Sequence, residues 1–287
     1  MEVRINEPMK RHTSFRAGGE AAWFAIPETV QELKAVLCAC KKADTPWYVL
    51  GNGSNLLVSD AGYPGVIIST EKFDKLEIEG NTVTVGAGVI LSKAANMAYK
   101  AGLTGLEFAA GIPGSLGGAC VMNAGAYGSE MKAVLKNVTV LTREGDVVTI
   151  PAEELELGYR TSVIPKAGYL VLEAEMELKE GVQEEIKALM DDLAFRRKDK
   201  QPLEFPSAGS TFKRPAGHFA GKLIEDAGLK GFTVGGAQVS EKHAGFVINR
   251  GEATASDIYA LCKAVEQKVM DQFGVALEME VELLGKF

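Results

Sequence analysis

The chain has 287 residues, 46% hydrophobic and 24% charged, with a net charge of −7. That is the balance of a globular protein with enough apolar material for two or three cores, and its acidity excludes nucleic acid as the main partner, because phosphate binding wants a basic field. No apolar run approaches the roughly 20 residues a membrane span needs, and the opening MEVRINEPMKRH has no signal-peptide pattern.

Cys38, Cys40, Cys120 and Cys262, with three histidines, show no metal-ligand spacing. No metal is expected, and the thiols read as small core residues in a reducing cytoplasm. In chain order, TSFRAGGEAAWFAI at 13–26 predicts a strand entered through a Gly-Gly turn. Thr29 and Glu32 form a capping-box pattern, and Leu33, Val36, Leu37 and Cys40 mark one helix face. WYVL at 47–50 predicts a buried strand running into GNGSNLL at 51–57, with a further strand at Val66–Ser69. The loop has no lysine, so it is not a Walker P-loop.

Val83 and Val85 then alternate into Gly86-Ala87-Gly88, and Leu91, Ala94, Ala95 and Ala98 predict a second helix. The stretch LEFAAGIPGSLGGACVMNAGAYG at 106–128 is rich in Gly and almost free of charge. Glycine weakens helix and strand alike, so neither element is expected there. A buried backbone pressed against a large ligand fits the stretch, and its N–H groups could cradle a diphosphate. A tight core crossing between two sheets fits its composition as well.

A hairpin follows, NVTVLT and VVTI around Arg143-Glu144-Gly145-Asp146, and LVLEAEMELK at 170–179 alternates as a half-exposed strand should. Val182–Arg197 predicts a helix with Ile186, Leu189, Met190 and Leu193 inward, ending in RRKDK. Gln201–Pro206 reads as a linker. Beyond it come PSAGSTFKRP, a short helix near 219–227, the strand-like GFVIN, a long helix from about Ser256 to Phe273, and a closing strand LEMEVELLG. In that strand Leu277, Met279, Val281 and Leu283 face one way, and Glu278, Glu280 and Glu282 the other.

No complete G-x-G-x-x-G lies between strand and helix, so the Rossmann signal is missing. Two Gly loops, 51–57 and 111–128, could instead grip one long cofactor, which a flavin dinucleotide suits. The candidate cofactor-binding residues are Gly51, Asn52, Gly53, Ser54, Asn55, Gly111, Pro113, Gly114, Ser115, Gly117, Gly118 and Asn123. The first loop offers no His or Cys to tether a flavin, so non-covalent FAD is expected.

LGNGSNLLV, GIPGSLGGACVMNAGAYG, GYRTS, PSAGSTFKRP and EVELLG occur in this order between residues 12 and 285. Together they resemble the bacterial UDP-N-acetylenolpyruvoylglucosamine reductase family, and the compact run from Arg160 to Val182 resembles its shorter, type II members. The resemblance implies an α+β protein: an FAD-binding fold of the vanillyl-alcohol-oxidase/PCMH type, built from two α/β subdomains (1–70 and 71–200), plus a C-terminal α+β substrate-binding domain (201–287). It implies reduction of the enolpyruvyl ether of a UDP-sugar by NADPH through FAD, in a cytoplasmic monomer making peptidoglycan precursor.

By motif match, Arg160 polarises the substrate carboxylate, Ser210 supplies a proton and Glu280 completes the site. Tyr127, Lys200, Arg214 and His243 are carried over as UDP-sugar contacts. The family often carries Arg where Glu282 stands, a departure that bears on contacts to the substrate there. From the residues alone, Arg160 could cap a surface turn, Ser210 could close a Ser-Gly turn, and the three glutamates could line a solvated strand. Two other classes stay open on these grounds: another flavin oxidoreductase of the same fold, and a non-catalytic nucleotide-binding module.

Overall fold

The computed structural model describes residues 1–287. The chain divides into two compact units, one of Met1–Val3, Ala25–Asn52 and Ile67–Arg197, the other of Arg4–Phe24, Gly53–Val66 and Lys198–Phe287. The expected strands form at Glu20–Ile26, Trp47–Leu50 and Tyr63–Ser69. The helix Val30–Lys42 is capped by the Thr29 hydroxyl, which accepts the Glu32 N–H. It buries Leu33, Val36 and Cys40. Cys38 falls on its other side and is exposed, so only three of the four thiols are core residues.

The first unit is built on a five-stranded antiparallel sheet in the order Val147–Pro151, Leu135–Leu141, Leu170–Glu177, Thr82–Gly86, Leu76–Glu79. Val83, Val85, Val138, Val140, Ala174 and Met176 bury one face completely. Thr84, Thr139, Glu173 and Glu175 hold the alternate positions on the wetter face. Burying each large apolar side chain contributes about 1.5–3 kcal/mol. The helix Leu91–Lys100 adds Leu91, Ala94, Ala95 and Ala98 to the same core, as its spacing predicts.

Inside the Gly-rich stretch the structure departs from expectation, because Leu116–Val121 is a helix. Tertiary contact outweighs propensity there. The Leu116 and Gly117 amides donate to the Val89 and Ala87 carbonyls at 2.8 and 2.9 Å. A Cβ at Gly117 would lie 3.1 Å from that of Ala87, so a larger residue there would push the helix outward. Two amides that could have faced a diphosphate are therefore taken by the chain itself.

The helix Gln183–Lys200 buries Ile186 and Met190, but Leu189 is 45% exposed and Leu193 only half-buried. The apolar stripe is thus narrower than the sequence predicts, and its continuation falls on Arg197.

The second unit packs a three-stranded antiparallel sheet, Thr233–Val234, Ala237–Val239 and Val247–Asn249, with the helix Ala255–Phe273. That helix begins with a Thr254–Asp257 capping box and ends at left-handed Gly274. Its Ile258, Leu261, Cys262, Val265 and Val269 are buried, and burial pushes the Cys262 thiol up to about 12.

The closing segment changes partners part-way. Met279 bridges Phe212 antiparallel, after which Glu282–Leu284 pairs parallel with Leu56–Val58. The alternation predicted through Leu283 fails at this switch, leaving Leu283 38% exposed and Leu284 at 9%.

Candidate active site

In the first unit the two Gly loops meet. The Asn52 side-chain amide donates to the Pro113 carbonyl, and a Cβ at Gly51 would lie 2.2 Å from Ser115 Oγ. Ser115 Oγ is buried without a hydrogen-bond partner. Such a group costs about 1–3 kcal/mol unless something satisfies it, so it marks a place where the fold is incomplete by itself. Gly114 uses its carbonyl on the Leu91 N–H, and Gly118 faces the Ser115 hydroxyl side.

Gly111 lies against the guanidinium of Arg197, whose Nε is likewise buried and unpartnered. Burial pulls the Arg197 pKa down, and a hydrogen bond to Tyr127 opposes that shift. Tyr127 itself is exposed and left-handed. Sequence reasoning missed Arg197. The signal was a cation seven residues after Met190, on the inward stripe of its helix.

Arg160 sits in a tight turn closed by reciprocal bonds between Gly158 and Thr161, with its own φ at +53°. Its guanidinium lies 5.3 Å from the Tyr159 ring centroid. Asn123 is buried, and its amide oxygen accepts the Lys132 N–H at 2.9 Å.

In the second unit, Gly53 has φ +59° and its Cβ position lies 1.9 Å from the His12 carbonyl oxygen. Half-buried Ser54 leads to Asn55, whose side-chain amide donates to the Glu280 carbonyl at 2.9 Å. The Asn55 carbonyl accepts the Glu282 N–H at 3.0 Å. Thr211, next to Ser210, is tied on three sides. Its N–H donates to Gly245, its carbonyl accepts the Glu280 N–H, both at 2.8 Å, and its hydroxyl accepts the Val247 N–H. The backbones of Ser210 and Glu280 are thereby brought together, with Ser210 exposed and Glu280 half-buried.

The three glutamates are not equivalent. Glu278 is exposed and forms an ion pair with Lys213, and Glu282 begins the parallel pairing. His243 is held neutral by burial, which lowers its pKa. Its Nδ1 accepts the Gly245 N–H at 3.1 Å, so Nε2 carries the proton and is a donor. Arg214 stacks 4.4 Å from the Phe219 ring centroid. Lys200 is exposed and pairs with Asp199. No helix is long and apolar enough to cross a membrane.

Residues 21–151 match the family model described as "FAD binding domain", and together with the paired Gly loops this defines an α+β flavin-binding protein. Residues 201–284 match the C-terminal domain of UDP-N-acetylenolpyruvoylglucosamine reductase. Relatives with that name include one from Clostridioides difficile (strain 630), 52% identical over 286 residues, covering 99% of this chain and 94% of the relative. Another, from Lachnoclostridium phytofermentans, is 54% identical over 289 residues, covering 99% and 93%. The crystal structure of the reductase from Thermus caldophilus superposes with a TM-score of 0.85 at 38% identity, covering 99% of this chain and 98% of that one. The chain belongs to the UDP-N-acetylenolpyruvoylglucosamine reductase family.

Proposed function

We infer that this protein reduces the enolpyruvyl ether of UDP-N-acetylglucosamine to UDP-N-acetylmuramate in peptidoglycan precursor synthesis, with bound FAD and NADPH as reductant. The observation that carries the reading is the juxtaposition of Ser210 and Glu280 through the Thr211–Glu280 backbone bond, pinned by Asn55. A pure binding module has no need to fix a hydroxyl and a carboxylate side by side on two segments joined by the Phe212–Met279 bridge.

FAD fits the residues present. The orphan Ser115 hydroxyl, which Gly51 closely approaches, and the unpartnered Arg197 Nε beside Gly111 are buried polar groups awaiting a polar ligand. Gly51, Asn52, Pro113, Ser115 and Arg197 would hold it. When bound, FAD supplies a ring that takes up reducing equivalents from NADPH and passes them to the substrate.

The chain's own residues do the rest. Arg160 holds the substrate carboxylate and stabilises the negative charge that develops on it as hydride reaches C3. Ser210 delivers the proton to C2, and Glu280 is the ionisable group placed to replace it. Tyr127, Lys200, Arg214 and the Nε2–H of His243 are the proposed contacts to the UDP-sugar. In this reading residues 1–70 and 71–200 serve the cofactor and 201–287 the substrate, in a cytoplasmic monomer whose size gel filtration would check.

The purified protein is expected to be yellow, to release flavin on denaturation, to bleach with NADPH and to recover colour with the enolpyruvyl substrate. Flavin that stays with the precipitated chain, or bleaching without recovery, would contradict this function. Ser115→Ala isolates the cofactor contact. Removing a buried unpartnered hydroxyl should leave the thermal stability of the apo-protein unchanged or raised, while FAD affinity falls about tenfold, the worth of one hydrogen bond. Thermal melts of apo-protein and fluorescence titration with FAD measure the two effects separately.

A further inference from the structure

Arg160 occupies a backbone conformation that a non-glycine residue avoids, at a cost of about 1–2 kcal/mol. Such strain persists only where the surroundings over-determine it, and here the anchors are visible. Before Arg160, the Asn123 side-chain amide donates to the Gly158 carbonyl at 3.1 Å, and the Lys132 ammonium donates to the Leu157 carbonyl at 3.2 Å. After it, the fully buried Ser162 hydroxyl donates to the Val121 carbonyl at 2.6 Å. Asn123 and Lys132 are themselves linked, since the Lys132 N–H donates to Asn123 Oδ1 at 2.9 Å. Asn123 is only 1% exposed and is also left-handed, a conformation asparagine tolerates better than most residues.

We propose that Asn123 and Lys132 are positioning residues, which clamp the 157–158 carbonyls and so fix Arg160 in its left-handed conformation for the substrate carboxylate. The reading of the Gly loops gives Asn123 to the cofactor. Both ends of its amide, however, are engaged by the chain, and what they hold is the Arg160 turn. The tail of the Gly-rich block thereby orients the cation that faces the developing negative charge. Without the clamp, residues 158–161 would relax toward ordinary negative φ and swing the guanidinium away. A misplacement of about 1 Å can cost about 10²-fold in rate.

The inference rests on Arg160 meeting the substrate, so its test must separate the two. Lys132→Met keeps the backbone link to Asn123 and alters an exposed side chain, so it is expected to fold normally. Asn123→Ser removes the inner tether. Each is expected to slow single-turnover reoxidation by the enolpyruvyl substrate about 10- to 100-fold, with flavin reduction and FAD affinity within about twofold of wild type. Combined with Arg160→Lys, each should add less than about twofold, because the effects pass through one residue.

Limited trypsinolysis of the apo-protein gives a readout independent of turnover. Cleavage after Arg160 should accelerate in both variants, while other sites cut at the wild-type rate. Unchanged reoxidation, equal slowing of both half-reactions, weakened FAD binding, or full additivity with Arg160→Lys would overturn the clamp. A wild-type reoxidation rate in Arg160→Lys alone would instead overturn the role of Arg160 beneath it.

Discussion

Ser210→Ala is expected to leave reduction of the bound flavin by NADPH within about twofold of wild type and to slow reoxidation by the enolpyruvyl substrate by about 10²–10⁴-fold, the usual worth of a positioned general acid. The asymmetry follows from the chemistry. The first half-reaction draws no proton from Ser210, whereas the second ends with protonation at C2. The fold should survive the change, because Ser210 is exposed and the bonds that hold this segment belong to Thr211. Glu280→Gln should impair the same half-reaction. Glu278→Gln is its control, since it alters only an exposed ion pair with Lys213, of a kind worth about 0–1 kcal/mol. Stopped-flow measurement of the separate half-reactions decides the matter. Equal slowing of both would make Ser210 a residue that positions flavin rather than a proton donor.

Gly53→Val should cost both folding and cofactor binding. From the sequence, this glycine would matter because a diphosphate must approach its backbone. The structure adds a second reason, as the nearest group to its Cβ position is the His12 carbonyl oxygen at 1.9 Å, and φ is +59°. A β-branched residue resists that φ, and a backbone carbonyl cannot step aside as a flexible side chain can. His12 is itself held, stacked on Phe24 and bonded to Glu7 at 2.8 Å. The strain should lower apo-protein stability by several kcal/mol, at the severe end for point mutants, and FAD retention should fall with it. Denaturant melts of apo-protein are the measurement. Wild-type apo stability with lost FAD would show that the glycine serves only the ligand.

Much of this fold is legible where local pattern and tertiary demand agree. The helices Val30–Lys42, Leu91–Lys100 and Ala255–Phe273 announce themselves by spacing, and the hairpin at 135–151 by alternation around Glu144-Gly145. What stays hidden depends on partners far away in sequence. Leu116–Val121 is helical because Ala87 and Val89 take its first amides, which no local propensity reveals. The exchange of positions between Leu283 and Leu284 follows from a strand that changes partners, and alternation cannot foresee that. At the site, motif order brought out Arg160, Ser210 and Glu280. The groups that hold them are harder to read: Asn55 and Asn123 stand out in the sequence only as cofactor candidates, and their hold on the Glu280 and Gly158 carbonyls shows once the chain closes.

The closing segment also sets an order of events during synthesis. Leu56–Val58 finds its parallel partner in Glu282–Leu284, and Asn55 reaches Glu280 across 225 positions of sequence. The Ser59 N–H and hydroxyl wait for the Leu284 and Lys286 carbonyls. Until Glu282–Leu284 docks, Leu56–Val58 has no strand partner, although Tyr63–Ser69 just beyond it is already held in its own sheet. Contacts this distant close slowly and leave strand edges exposed meanwhile. The pairing that fixes Asn55 beside Glu280 is thus a late event, open only once the long intervening stretch of chain has been made.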